Sequence, residues 1–183
     1  MENEPYFITL RKKLPPFHEI SSLYATIVFL VYGWTSVAFF WKVTSWLYFL
    51  NLAEIAFIMA YVLSSTLLES VSILFAFVLA SLLLPASWLQ NKFAVRGSVI
   101  FYSLTFWVIL LNLGSLIQLP TTTDVLSFAI GFPLTAGSGI LLTDRIPLLH
   151  RFVNFIGNQL TVFLYLWLPL SLAGVLIVIL RNI

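Results

Sequence analysis

Acidic and amide side chains inside apolar segments are the residues of this sequence that could do chemistry. In the second apolar segment, Glu54 lies between Asn51 and Tyr61. At about 100° per residue these side chains, with Ile58 and Ser65, occupy an arc of about 80° on one helix. A carboxylate near the middle of a membrane helix costs about 2.5 kcal/mol or more, so Glu54 is a candidate for binding a cation or carrying a proton. The alternative is a protonated, structural Glu54 that is hydrogen-bonded to an Asn or Tyr side chain.

Further amides lie in later segments. Asn154 and Asn158 share one helix face with Thr161 and Tyr165, and Asn112 interrupts the fourth apolar segment. Such groups commonly form hydrogen bonds between membrane helices, worth about 1 kcal/mol or less each. The polar candidates for a site within the membrane are therefore Asn51, Glu54, Tyr61, Asn112, Asn154 and Asn158.

The sequence offers little else that could catalyse a reaction or hold a metal. Ser138 lies between two glycines, as a nucleophile could, but the later histidine, His150, lies just beyond the end of the same segment. His18 and His150 both lie near predicted membrane boundaries, and their spacing to Asp and Glu is not that of a metal site. We therefore predict no metal site and no catalytic residue, and we favour a protein that is not an enzyme.

The aromatic side chains leave a hydrophobic cofactor open. Trp34, Trp107 and Trp167 fall in the middle of apolar segments, away from the membrane boundaries where Trp is enriched. They could line a site for a lipid, a pigment or another hydrophobic ligand, although packing against lipid or neighbouring helices is the more common role.

The composition is that of a membrane protein. Of the 183 residues, 61% are hydrophobic and 9% are charged, whereas about a quarter of the residues in soluble domains are charged. The Lys and Arg residues are scattered apart from Arg11, Lys12 and Lys13, so the sequence excludes a nucleic-acid partner. The absence of cysteine excludes disulfides and thiolate metal sites.

We predict an all-α, polytopic membrane protein with about six transmembrane helices in one bundle and no soluble domain. A membrane helix needs about 20 residues. The predicted spans are at about 22–41, 46–64, 70–88, 98–118, 125–142 and 159–180, after a polar interfacial arm at residues 1–19. Residues 64–69, Ser-Ser-Thr-Leu-Leu-Glu, would form the turn of a helical hairpin between the second and third spans. We expect no removable signal peptide, because the first apolar run has full spanning length and no cleavage site follows it.

Small residues and a proline predict how the helices pack. Small residues recur at every fourth position in two spans, as Ala56, Ala60 and Ser64 in the second and as Ser72, Ala76 and Ala80 in the third. This pattern lets membrane helices approach closely, so we expect the two rows to form the seam of the hairpin. In the fifth span, Pro133 together with Gly131 and Gly137 predicts a kink.

Charge does not identify the side of the membrane on which the termini lie. Six spans would put both termini on one side, with four Lys or Arg residues there and five on the other side. The positive-inside count therefore nearly cancels. The basic triplet before the first span favours termini in the cytosol.

Two functions fit these features. The first is a non-catalytic accessory or structural subunit of a larger membrane complex, in contact with the lipid bilayer and with other membrane-protein subunits. The alternative is a small-substrate or ion transport module that uses Glu54 and the Asn-bearing stripes. The lack of a catalytic constellation favours the subunit, whereas Glu54 and the proline in the fifth span favour transport. We expect the protein in the cell membrane.

Overall fold

A computed structural model of the chain describes residues 14–84, 89, 92–115 and 121–183, with the backbone alone for 113–115. These residues form five α-helices and no strand. The helices are α1 (Phe17–Trp46), α2 (Leu52–Leu83), α3 (Phe93–Ser115), α4 (Thr122–Arg145) and α5 (Pro147–Asn182). Each is long and apolar enough to cross a membrane. The prediction of an all-α, multi-pass integral membrane protein is therefore confirmed, with five helices in the described part in place of about six.

Parts of three predicted segments lie outside the described residues. These are residues 1–13 of the polar arm, residues 85–88 at the end of the third span with residues 90 and 91 of the loop that follows, and residues 116–118 of the fourth span. The last residues of the predicted arm already belong to a helix, because α1 begins at Phe17, directly after Pro15 and Pro16.

The predicted hairpin turn at residues 64–69 is wrong, because α2 passes through it without interruption. The polar side chains there bond to their own helix: the Ser64 hydroxyl donates to the Ala60 carbonyl oxygen over 2.7 Å. Hydroxyls that donate in the same way are those of Ser65, Thr66 and Ser70. Side chains satisfied locally are compatible with a helix in lipid. No glycine or proline lies between residues 52 and 84, so nothing ends the helix there. Residues 52–83, which include most of the two predicted spans and the turn between them, are one helix.

Side-chain caps set where α2 and α4 begin. Asn51 Oδ1 accepts a hydrogen bond from the Glu54 N–H, and the Glu54 carboxylate accepts one from the Asn51 N–H, both over 2.9 Å. This reciprocal pair is a capping box, which satisfies two backbone donors at a helix start. Thr121 and Asp124 form the same arrangement at the start of α4.

α1 and α5 form the centre of the bundle and run parallel. Near the start of both helices, Ser22 lies against Gly157. Further along both helices, the hydroxyls of Tyr32 and Ser171 are hydrogen-bonded over 2.7 Å. Two contacts in the same order along both helices require a parallel pair.

α2 runs antiparallel to α5. The Arg181 guanidinium lies 4.3 Å from the centre of the Phe57 ring. Leu63, further along α2, lies beside Gly174, which is earlier along α5.

α3 and α4 complete the alternation in direction. Arg96 near the start of α3 is bonded to Asp144 near the end of α4. Trp107 Nε1, later in α3, donates to the Thr135 hydroxyl, earlier in α4, over 3.0 Å. Since α1 and α3 also run parallel, with Leu23 against Gly97, the five described helices cross alternately.

Two apolar clusters hold α1 to its neighbours. One joins Leu23 and Ile27 of α1 to Phe93 and Phe101 of α3, together with Leu89. The other is formed by Val28 and Tyr32 of α1 and Leu63 of α2, with Leu164 and Trp167 of α5 against it. Burial of such side chains stabilises the bundle by close packing, the main source of helix association within lipid.

α4 is helical through Pro133. A Cβ added at Gly131 would overlap the indole of Trp107, so this glycine lets α3 and α4 pack closely. The kink that Pro133, Gly131 and Gly137 predict stays a prediction.

With five alternating helices, the Lys and Arg residues are divided between the two ends of the bundle differently than the six predicted spans implied. We call the end with Phe17, Leu83, Phe93 and Arg145 the basic end, and the other the opposite end. Of the Lys and Arg residues that the structure describes, four lie at the basic end, namely Lys92, Arg96, Arg145 and Arg151. Lys42 and Arg181 belong to the opposite end. The five alternating helices also put the start of α1 and the end of α5 at opposite ends of the bundle, whereas six spans would put both on one side.

Candidate functional site

Glu54, the leading sequence candidate, lies at the opposite end of the bundle. It is exposed in the first turn of α2, and its carboxylate is engaged in the capping box with Asn51. A carboxylate in the first turn also interacts favourably with the positive end of the helix dipole. The geometry therefore gives Glu54 a local role in starting the helix.

The other polar candidates lie apart from one another. Tyr61 accepts a hydrogen bond from Asn182 at the end of α5 over 2.9 Å, which ties α2 to α5 at the opposite end. Asn112 donates to the Val108 carbonyl oxygen of its own helix. Asn158 is exposed, and Asn154 lines a small cavity near the basic end. Apart from Asn51 and Glu54, the candidates do not converge on one site.

The rows of small residues lie on one helix and form no seam with each other. Ala60 is buried and lies against Gly174 of α5, where a larger residue would separate α2 from α5. Ser64 is half-buried, and Ala56 is exposed. Ser72 and Ala76 are exposed, and Ala80 is half-buried. The packing role of these six residues therefore stays a prediction, with α5 as the neighbour of Ala60.

Glu69 takes the midplane position that the sequence suggested for Glu54. It lies about 25 Å from the start of α2 and about 21 Å from its end, at a rise of about 1.5 Å per residue. Both distances exceed half the thickness of a hydrocarbon core of about 30 Å. Glu69 therefore lies deep in the membrane, although the sequence predicted it in a turn.

Glu69 lines a cavity of about 170 Å³ between α1, α2 and α3. The lining side chains are mostly branched aliphatic and aromatic, with Glu69, Thr35 and Thr105 as the polar exceptions. Trp34 adds an indole N–H that can donate a hydrogen bond. The complete lining is Leu30, Val31, Trp34, Thr35, Glu69, Ile73, Phe101, Leu104, Thr105, Val108 and Ile109. An apolar cavity with a few polar groups is the usual form of a small-molecule site.

An aromatic pair lies between the cavity and the basic end, and part of the cavity lining is exposed. Phe77 of α2 and Phe101 of α3 meet edge to face, with ring centres 6.3 Å apart, on the side of the cavity nearer the basic end. Beyond this pair, α2 and α3 both contact α1 but make little contact with each other. Trp34 and Val108 of the lining are 51% and 42% exposed, and Glu69 of α2 is exposed as well. The opening therefore lies between α2 and α3, at the depth of the lipid chains.

Within the described part of the chain, no hydrogen bond or ion pair reaches the Glu69 carboxylate. The same residues contain no group of three or more His, Cys, Asp or Glu side chains that could hold a metal ion. Ser70, the residue after Glu69, is buried close to Tyr32. A carboxylate without a counter-charge at this depth is costly, so an external partner would lower the cost of placing Glu69 there.

An ionic cluster lies at the basic end, away from the cavity. Asp144 of α4 accepts from Lys92 over 2.8 Å and from Arg96 of α3 over 2.7 Å. All three side chains are partly exposed, so each bond contributes little to the free energy of unfolding. The cluster ties α3 to α4 near the membrane surface.

Comparison of the chain with models of protein families, with curated proteins and with solved structures gave no match. The candidate site is therefore defined by its geometry alone.

Proposed function

We propose that this integral membrane protein is a transport module that binds a small cation in the cavity beside Glu69 and moves it across the cell membrane. The observation that carries the proposal is an acid at the midplane, on the wall of a cavity, without a counter-charge in the described part of the chain. Acids retained at this depth commonly mark the path of an ion or a substrate. This is the transport alternative of the sequence analysis, with Glu69 in place of Glu54.

Each group of the cavity has a definite task in this proposal. The Glu69 carboxylate neutralises the cation, and the Thr35 and Thr105 hydroxyls replace part of its hydration. The Phe77–Phe101 contact closes the path toward the basic end, so this pair has to separate before a cation can leave there. The contact is a pair of side chains on different helices, which a small relative movement of α2 and α3 can break.

Current measurements on proteoliposomes test this function. The purified protein is reconstituted, and a jump in the concentration of K⁺, Na⁺, methylammonium or benzyltrimethylammonium is applied on a solid-supported membrane. We expect a current for at least one cation, its loss in Glu69→Gln, and its retention in Glu54→Gln. The second variant is a matched control, because it makes the same change on the same helix and glutamine also serves in a capping box. Equal currents in both variants, or no current in the wild type, would contradict the proposal.

A second candidate, the subunit of a larger membrane complex, is favoured by the outer face of α2. Ser65, Ser72 and Ala76 are exposed there at helical spacing, on the same side as Glu69. Small and polar residues of this kind let the helix of another subunit approach closely.

Native extraction tests the second candidate. Membranes of the native host are solubilised with a lipid-retaining copolymer, and the tagged chain is purified. We expect a stoichiometric membrane protein to co-purify and Ser72→Leu to release it, whereas Leu134→Val on the exposed side of α4 should not. A monodisperse chain without companions would speak against a subunit.

A further inference from the structure

We infer that the ligand of the Glu69 cavity is an organic ammonium compound with apolar substituents, which enters from the lipid between α2 and α3. The inference rests on the proposed function and adds the class of substrate and its route.

The lining favours an organic cation over a metal ion. A hard metal ion such as Ca²⁺ or Mg²⁺ needs about six oxygen ligands. This cavity offers one carboxylate and the hydroxyls of Thr35 and Thr105. An ammonium group needs fewer ligands, since one carboxylate can neutralise it and apolar walls can cover its substituents.

Trp34 also favours an organic cation over a metal ion. Its side chain lines the cavity and is half exposed. An indole face attracts cations, and this attraction is strongest for a cation that is already free of water. Quaternary ammonium groups are weakly hydrated, so Trp34 and Glu69 together are suited to them. The aliphatic wall formed by Leu30, Ile73 and Leu104 can pack against the rest of the ligand.

The position of the opening defines the route. The Phe77–Phe101 pair and the cluster around Leu23 and Ile27 lie between the cavity and the basic end. The exposed part of the lining lies at midplane depth, where the surroundings are lipid chains. An amphiphilic ammonium compound partitions into the membrane, so it can reach the opening from the side.

Isothermal titration calorimetry on the full chain in nanodiscs tests the inference, with empty nanodiscs as the blank. The probe is benzyltrimethylammonium, and tetramethylammonium has the same charge without the ring. We expect the probe to bind at least about tenfold more tightly to the wild type than to Glu69→Gln, because that change removes a charge-assisted contact. Trp34→Leu should weaken binding about threefold or more. Glu54→Gln should leave the affinity unchanged, and tetramethylammonium should bind more weakly than the probe.

The outcomes separate this inference from the proposed function. Binding of the probe that depends on Glu69, without a current in proteoliposomes, would support the ligand class and overturn transport. A K⁺ or Na⁺ current that depends on Glu69, without binding of the probe, would support transport and overturn the ligand class. Equal affinity of wild type and Glu69→Gln would also overturn the ligand class, provided that circular dichroism shows both chains to be folded.

Discussion

Glu54 and Glu69 lie on the same helix, about 22 Å apart along its axis. The Glu54 carboxylate accepts a backbone N–H bond at the membrane boundary and belongs to a capping box. The Glu69 carboxylate lines a cavity deep in the membrane and has no bonded partner in the described part of the chain. The same functional group therefore caps a helix at one depth and, within the described residues, has no bonded partner at another. Depth along the helix, which depends on where the helix begins, decides the role.

The largest expected effect concerns that depth and is an all-or-none difference in labelling. The chain has no cysteine, so a single engineered thiol reports one position. We place thiols by Tyr48→Cys at the opposite end, Ser72→Cys one turn from Glu69, and Leu148→Cys at the basic end. Because cytosolic loops are enriched in Lys and Arg, the basic end should face the cytosol. An impermeant maleimide applied to intact cells should label Tyr48→Cys, label Leu148→Cys only after permeabilisation, and leave Ser72→Cys unlabelled.

Denatured samples of the three variants give the control, since all three thiols should then react. Labelling of Tyr48→Cys and Leu148→Cys from one side would contradict the alternation of the five described helices. Rapid labelling of Ser72→Cys in the native protein would put residues 64–72 at the membrane surface, and Glu69 with them.

A proline in the middle of α2 should have the next largest effect. Leu68 is 71% exposed, so a change there acts mainly on the backbone. Leu68→Pro removes an internal helix hydrogen bond and should lower the free energy of unfolding by about 3 kcal/mol. Thermal unfolding in detergent, followed by circular dichroism, measures this, with Leu68→Ala as the control. A turn at residues 64–69 would tolerate the proline, so an unchanged melting temperature would refute the continuous helix.

Replacing each glutamate by leucine should change stability in opposite directions. Glu69→Leu removes an acid from the midplane and should stabilise the fold in bicelles by up to about 2.5 kcal/mol, at the expense of function. Glu54→Leu removes half of a capping box and should destabilise it by about 1 kcal/mol. Unfolding with increasing sodium dodecyl sulfate measures both changes. A loss of stability in Glu69→Leu would mean that the side chain holds the fold together, against our assignment.

The sequence predicts the class of fold and the approximate extent of four helices, because their apolar segments are separated by charged or proline-containing stretches. The predicted position of α2 was wrong, because four of the six residues 64–69 are polar and one span of ordinary length fits on each side of them. A local signal for the true start was present: Asn51 and Glu54 have capping-box spacing, and no glycine or proline follows before Pro85. Measured from that start, the middle of the helix falls near Glu69.

The cavity itself could not be predicted in this way. Its polar side chains come from three helices, as Thr35, Glu69 and Thr105. Their convergence depends on how α2 and α3 diverge around α1, which is a property of packing between distant segments. No periodicity within one helix contains that information.

The smallest expected effect is the most direct test of the role of Glu54. Asn51→Ala leaves the Glu54 N–H without its side-chain acceptor, and water at the membrane boundary replaces it only in part. The free energy of unfolding should therefore fall by about 1 kcal/mol. Thr121→Ala removes the corresponding acceptor of α4 and should have a similar effect, whereas Glu54→Gln should be nearly neutral, because glutamine can accept the same backbone bond. Since the two residues act as one unit, the double variant Asn51→Ala/Glu54→Ala should lose less than the sum of the single losses. Strictly additive losses, measured by the same detergent unfolding, would mean that Glu54 works apart from Asn51, and the contrast with Glu69 would then lose its structural basis.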